Sequence, residues 1–175
     1  MKTKHLILLV LIVIILAALL RTHKASAPIT FDPRNSSFAI EGKEVALVNG
    51  QSEISIPGSS AKIVTHYFGN EAIGDLDGDN RADIAYLVSQ ERGGSGVFYY
   101  AVVALNKPDG YKTTNAFFVG DRIAPQSTVI HSDSRELDVN FAERNPGEPM
   151  TTPPSRGAAL LLKVNSSDVL EGLMK

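Results

Sequence analysis

The chain has 175 residues, no cysteine and a formal net charge of −2. Without thiols there is no disulfide framework, thiolate metal site, cysteine nucleophile or lipobox. Residues 1–24 carry four basic and no acidic side chains (Lys2, Lys4, Arg21, Lys24), leaving 13 Lys and Arg against 19 Asp and Glu, a net −6 that argues against nucleic acid or anionic lipid as a partner surface.

The N-terminus reads as an address. A basic start, Met1-Lys2-Thr3-Lys4-His5, precedes an uninterrupted apolar run over residues 6–20 without charge, Gly or Pro. As a helix the run spans roughly 22 Å, short of a hydrocarbon core of about 30 Å. Lys4, Arg21 and Lys24 can snorkel and help it cross. Ala25-Ser26-Ala27 has the pattern of a cleavage site, but Pro28 follows it directly. With no N–H and a fixed φ, proline fits an extended protease groove poorly. Residues 1–24 are therefore expected to form an uncleaved single-pass membrane anchor, with a removed signal peptide and a secreted or periplasmic product as the alternative. Basic residues before the run place the N-terminus in the cytoplasm and the body outside it.

Residues 25–37 are polar and contain proline, and read as a tether. From Phe38 the signals are those of strands. Residues 39–43 and 45–48 flank a turn-like Glu41-Gly42-Lys43, and Asn49-Gly50 is a strong hairpin dipeptide leading to residues 53–56. A strand follows over residues 61–68. Residues 83–88 and 97–105 are the most apolar stretches of the body, joined by the flexible Gly93-Gly94-Ser95-Gly96. The second is apolar on both faces, which predicts the centre of a sheet covered on both sides. Further strands are expected over residues 113–119, 127–131, 136–142 and 158–164, with a Pro-rich loop over residues 145–154. No stretch of the body keeps a helical period. The fold class expected is all-β, a single antiparallel sandwich or curved-sheet domain over residues 38–175 behind an N-terminal hydrophobic helix.

One loop concentrates the chemistry. Asp75, Asp77, Asp79 and Asp83 stand at positions 1, 3, 5 and 9 of nine residues. Carboxylates packed so closely repel unless a cation neutralises them, and Ca²⁺ accepts an irregular cage of carboxylate and carbonyl oxygens. The expected metal ligands are the side chains of Asp75, Asp77 and Asp79, the backbone carbonyl of Arg81, and Asp83 directly or through water. Gly78 allows the tight fold, and Asn80 takes the left-handed conformation less readily than glycine. Position 12, a bidentate Glu in an EF-hand, is Tyr86, and the residues after the loop read as strand. Affinity is expected in the range of extracellular modules, roughly 10⁻⁴–10⁻³ M. Mg²⁺ is less suited to so many protein oxygens. A plain acidic turn is the metal-free alternative.

This nonapeptide, with its following strand, resembles the calcium loops of FG-GAP (integrin-α-like) repeats. More broadly, residues 67–72, 74–79, 93–100, 120–126 and 146–152 resemble a family of exported bacterial proteins and lipoproteins without an assigned activity. The resemblance implies an extracytoplasmic bacterial domain. Asn80 stands where that family commonly has Gly, and the lipobox Cys of some members is absent.

No catalytic residues emerge. Residues 93–97 fail the G-x-S-x-G pattern because position 97 is Val, and His66 and His131 stand alone in strand-like contexts. The function expected is a membrane-tethered binding or adhesion module with one structural Ca²⁺, contacting a protein or glycan at the cell surface through residues 93–96 and 145–154. One alternative is a cell-envelope hydrolase using Ser95 with His66 or His131, or a carboxylate pair drawn from Glu71, Asp121, Glu143 and Glu148. Another is a carbohydrate-binding module using exposed Tyr99 and Tyr100.

Overall fold

The computed structural model describes residues 30–173. The helix expected over residues 6–20 lies outside them, and among the described residues no helix is long and apolar enough to cross a membrane. One 3-10 turn, Pro33–Asn35, precedes twelve strands: β1 (Ser37–Ile40), β2 (Lys43–Ala46), β3 (Gln51–Ser55), β4 (Lys62–Gly74), β5 (Asp83–Glu91), β6 (Val97–Lys107), β7 (Gly110–Thr113), β8 (Phe117–Asp121), β9 (Ala124–His131), β10 (Glu136–Glu143), β11 (Arg156–Val164) and β12 (Leu170–Gly172). The domain is all-β, and every pairing between strands is antiparallel.

Three layers result. A six-stranded sheet runs β3-β4-β5-β6-β7, with β8 also pairing β6. A four-stranded sheet, β12-β11-β10-β9, covers one of its faces, and the β1–β2 hairpin covers the other. The two-faced apolar pattern of β6 has this cause. Ala101, Val103 and Leu105 join Leu137, Val139 and Leu162 in one core, while Tyr100, Val102 and Ala104 join Phe38, Ile40 and Val45 in the other. Neighbouring residues on a strand point to opposite faces, so one strand supplies both cores.

The turn dipeptides act as expected. Glu41 and Gly42 (φ 50° and 77°) close β1–β2, and Asn49 and Gly50 (φ 53° and 89°) reverse the chain between Val48 and Gln51. Several boundaries differ from expectation. The strand expected over residues 113–119 is broken: β7 ends at Thr113 and β8 begins at Phe117, because in between the Thr114 hydroxyl accepts from Val103 N and the Asn115 side chain pairs with the backbone of Leu170. β4 continues to Gly74, because register shifts at Gly69 and Asn70, both at positive φ, bend the strand without ending it. The tether, expected to reach Ser37, gives way to the compact unit at Phe31. Phe31 packs on Tyr111 with ring centroids 5.0 Å apart, Pro33 is buried, and Asp32 caps the 3-10 turn.

The strand directions sort the connections to two ends of the sandwich, separated by the eleven residues of β6, about 36 Å. At one end stand the 75–83 loop, Lys107, the β9–β10 turn and the β11–β12 turn, tied by Lys107 to Asp77 and Asp168 and by Asp75 to Ser132. At the other, the Arg122 N–H donates to the Val97 carbonyl (2.7 Å), and Arg144 Nη1 donates to the Arg122 carbonyl (2.8 Å).

Candidate metal centre

The loop between β4 and β5 is folded by its own carboxylates. Asp75 accepts from the backbone N–H groups of Gly78 (2.7 Å) and Asn80 (2.9 Å). Asp77 accepts from Asp79 N at 3.1 Å, and Asp79 from Arg81 N at 2.8 Å. Gly78 and Asn80 supply the positive φ values, 83° and 62°, that this coil requires.

Asp83 works differently. It is fully buried at the first position of β5, where Oδ2 accepts from Leu76 N (2.8 Å) and Oδ1 from Asn106 N (2.9 Å). It therefore pins the loop to the end of β6. Burial pushes its carboxyl pKa up, and the charges of Asp77 and Asp79 add to this, against the pull of the two N–H donors. For Asp75 burial acts in the same direction, but the N–H groups of Asn80, Gly78 and Asp79, with Arg135, outweigh it and hold the group below its ordinary value.

The structure brings Asp75, Asp77 and Asp83 together, one carboxylate oxygen from each lying within 4.8 Å of the others. Ligands on opposite sides of a Ca²⁺ are about 4.6–5.2 Å apart, so three hard oxygen donors at this spacing suit that ion. Asp79 is turned aside: both its oxygens engage Arg81, through the backbone N–H and the guanidinium. Arg81, expected to offer its carbonyl, also donates from Nε to the Asn106 carbonyl.

Three residues that sequence reasoning missed surround the loop. Lys107 Nζ lies 2.7 Å from Asp77 Oδ2 and 2.9 Å from Asp168 Oδ1. The two carboxylates hold its ammonium well above the usual lysine range. Arg135 lies over Gly78, where an added Cβ would collide with its guanidinium. Asp168, at φ 59° in the β11–β12 turn, is shared between Lys107 and Lys112. No sequence signal marks these partners, which reach the loop from the end of β6 and from the β9–β10 and β11–β12 turns. Together the loop, Lys107, Arg135 and Asp168 line an open cleft of about 520 Å³.

The remaining expected residues do not converge. Ser95 is exposed in the turn before β6, whereas His131 ends β9 at the opposite end of the sandwich, with Nε2 3.2 Å from Asp138 Oδ2. His66 lies in the middle of β4, opposite Gln51 and Ser89. Among the described residues no hydrogen bond joins Ser95 to either imidazole. Tyr99 and Tyr100 point to opposite faces of β6. Tyr100 is buried, with its hydroxyl between Arg92 and Glu41, and Tyr99 packs half-buried in a T-shaped contact with Phe68. They form no common platform for a sugar. Asp121 forms an ion pair with Arg122 and accepts from Val97 N, a structural role.

Comparison with known proteins adds no relative: no family model, no curated protein and no solved structure matches the chain.

Proposed function

We propose that this chain is a membrane-tethered extracytoplasmic β-module that binds a protein or glycan at the cell surface, with one structural Ca²⁺ held by the 75–83 loop. One observation carries the binding part. The two loops singled out in the sequence, residues 93–96 and 145–154, lie 49 positions apart in the chain (Gly96 to Asn145), yet the Arg122 N–H on the Val97 carbonyl and the Arg144 guanidinium on the Arg122 carbonyl bring their flanks together at one end of the sandwich. Loops gathered on a rigid β-scaffold are the usual place for recognition. Met150, 57% exposed within the longer loop, supplies an apolar contact there. Substituting it by Asp leaves every core residue in place, and is expected to weaken capture of the partner about tenfold or more. The measurement is sensor binding of the full-length chain and Met150→Asp to a glycan array and to purified bacterial envelope proteins. Equal binding by the variant would show that the partner docks elsewhere, and no binding to either panel would remove the reading.

The calcium part rests on the converged triad of Asp75, Asp77 and Asp83. With a dissociation constant of about 1 mM, Ca²⁺ at about 10 mM adds about 1.4 kcal/mol of stability. For a domain of this size that is about 3–5 °C in melting temperature. Asp77→Asn is expected to abolish the difference between Ca²⁺ and EDTA. Identical melting curves of the natural chain in both would end the metal assignment. The anchor of residues 1–24 and the resemblance to exported bacterial proteins support the location.

A further inference from the structure

We propose that Lys107 is a built-in competitor of the calcium ion, setting the threshold at which the loop takes up metal and linking uptake to the β11–β12 turn. This rests on the calcium reading of the triad. Asp77 is the shared group: it belongs to the converging carboxylates, and its Oδ2 already receives an ammonium at 2.7 Å. That ammonium is a cation of the chain's own, held on a carboxylate of the triad.

Lys107 is not stranded when Asp77 turns to a metal. Its second contact, 2.9 Å to Asp168 Oδ1, remains, and Asp168 is fixed on its other oxygen by Lys112 at 2.8 Å. Calcium thus displaces one charge-assisted hydrogen bond and leaves no unpaired buried charge, which would cost far more. The Lys107 and Asp77 side chains are only 23% and 11% exposed, so solvent screens their contact weakly. On binding, Lys107 passes wholly to Asp168, so the turn that β12 depends on senses the occupancy of a loop 85 residues earlier.

The test is calorimetric titration of the full-length chain in detergent with CaCl₂, comparing the natural protein with Lys107→Gln and Lys112→Gln. Lys112 touches Asp168 but not Asp77, so it controls for charge alone. Lys107→Gln is expected to bind Ca²⁺ about five- to tenfold more tightly, and Lys112→Gln within about twofold of the natural chain. Lys107→Met, with its fold checked by circular dichroism, replaces the Gln variant if that one unfolds. If the natural chain binds Ca²⁺ and Lys107→Gln binds it equally, the competition is wrong while the metal site stands. Equal tightening in both variants reduces the effect to net charge and also overturns it. No binding heat in either the natural chain or Lys107→Gln overturns the site and the competition together.

Discussion

Asp83→Ala is expected to lower the unfolding midpoint by about 10 °C in EDTA, and in calcium by about 3–5 °C more, as the metal contribution is lost with it. Asp83 is the only member of the triad with no exposure, and its two oxygens satisfy backbone donors on different segments, Leu76 N and Asn106 N. Alanine removes both acceptors and leaves the buried Leu76 N–H and the partly buried Asn106 N–H unpaired, at up to about 1–3 kcal/mol each. It also frees the end of the loop from the end of β6. The raised pKa of the native carboxyl shows that burial already acts against its charge. Asp83→Asn keeps one acceptor oxygen at the same position and is expected to lose about half as much. Urea titration with and without chelator separates the roles. A loss seen only in calcium would make Asp83 a metal ligand first and a structural group second.

This division of labour within one acidic loop was only half legible from the sequence. The spacing of Asp75, Asp77 and Asp83 carries the convergence, and Gly78 and Asn80 carry the turns, because both are local properties of nine residues. The diversion of Asp79 to Arg81 is also local, but spacing alone does not decide between a cation in solution and a guanidinium two residues away. Lys107, Arg135 and Asp168 were invisible, because the sheet topology brings them there.

The same contrast runs through the fold. β6 and β10 were readable because their apolar residues answer to the faces of sheets. The break between β7 and β8 was not. There Thr114 accepts from Val103 N through its hydroxyl, and the Asn115 side chain pairs with both the N–H and the carbonyl of Leu170, 55 residues on. A side chain that takes the place of a neighbouring strand leaves no periodic trace. Residues 31–36 look like a tether for a similar reason. Their composition is that of a loop, and their docking depends on a partner elsewhere in the chain, Tyr86.

That partner supplies the second large effect. Tyr86→Ala is expected to cost about 3–5 kcal/mol and to expose residues 31–36 to protease. Tyr86 has no exposure, its ring stands 6.1–6.4 Å from those of Phe31, Phe38 and Tyr67, and its hydroxyl meets Ser36 Oγ at 2.9 Å. Ser36 in turn donates to the Pro33 carbonyl at 2.7 Å, so the phenol holds both ends of the 3-10 turn. Tyr86→Phe keeps the ring and loses only the hydroxyl contact, about 1 kcal/mol. Arg34 is the reporter. It is exposed, but its carbonyl accepts from Gly50 N at 2.7 Å, which keeps its backbone out of a trypsin cleft. Cleavage after Arg34 is expected to be slow in the natural chain and in Tyr86→Phe, and fast in Tyr86→Ala under folding conditions. Because Tyr86 faces the β1–β2 core and the 75–83 loop closes the opposite one, calcium is expected to leave that cleavage rate unchanged. A Tyr86→Ala chain as resistant as the natural one would mean that Phe31 and Pro33 alone hold the segment against the sheet.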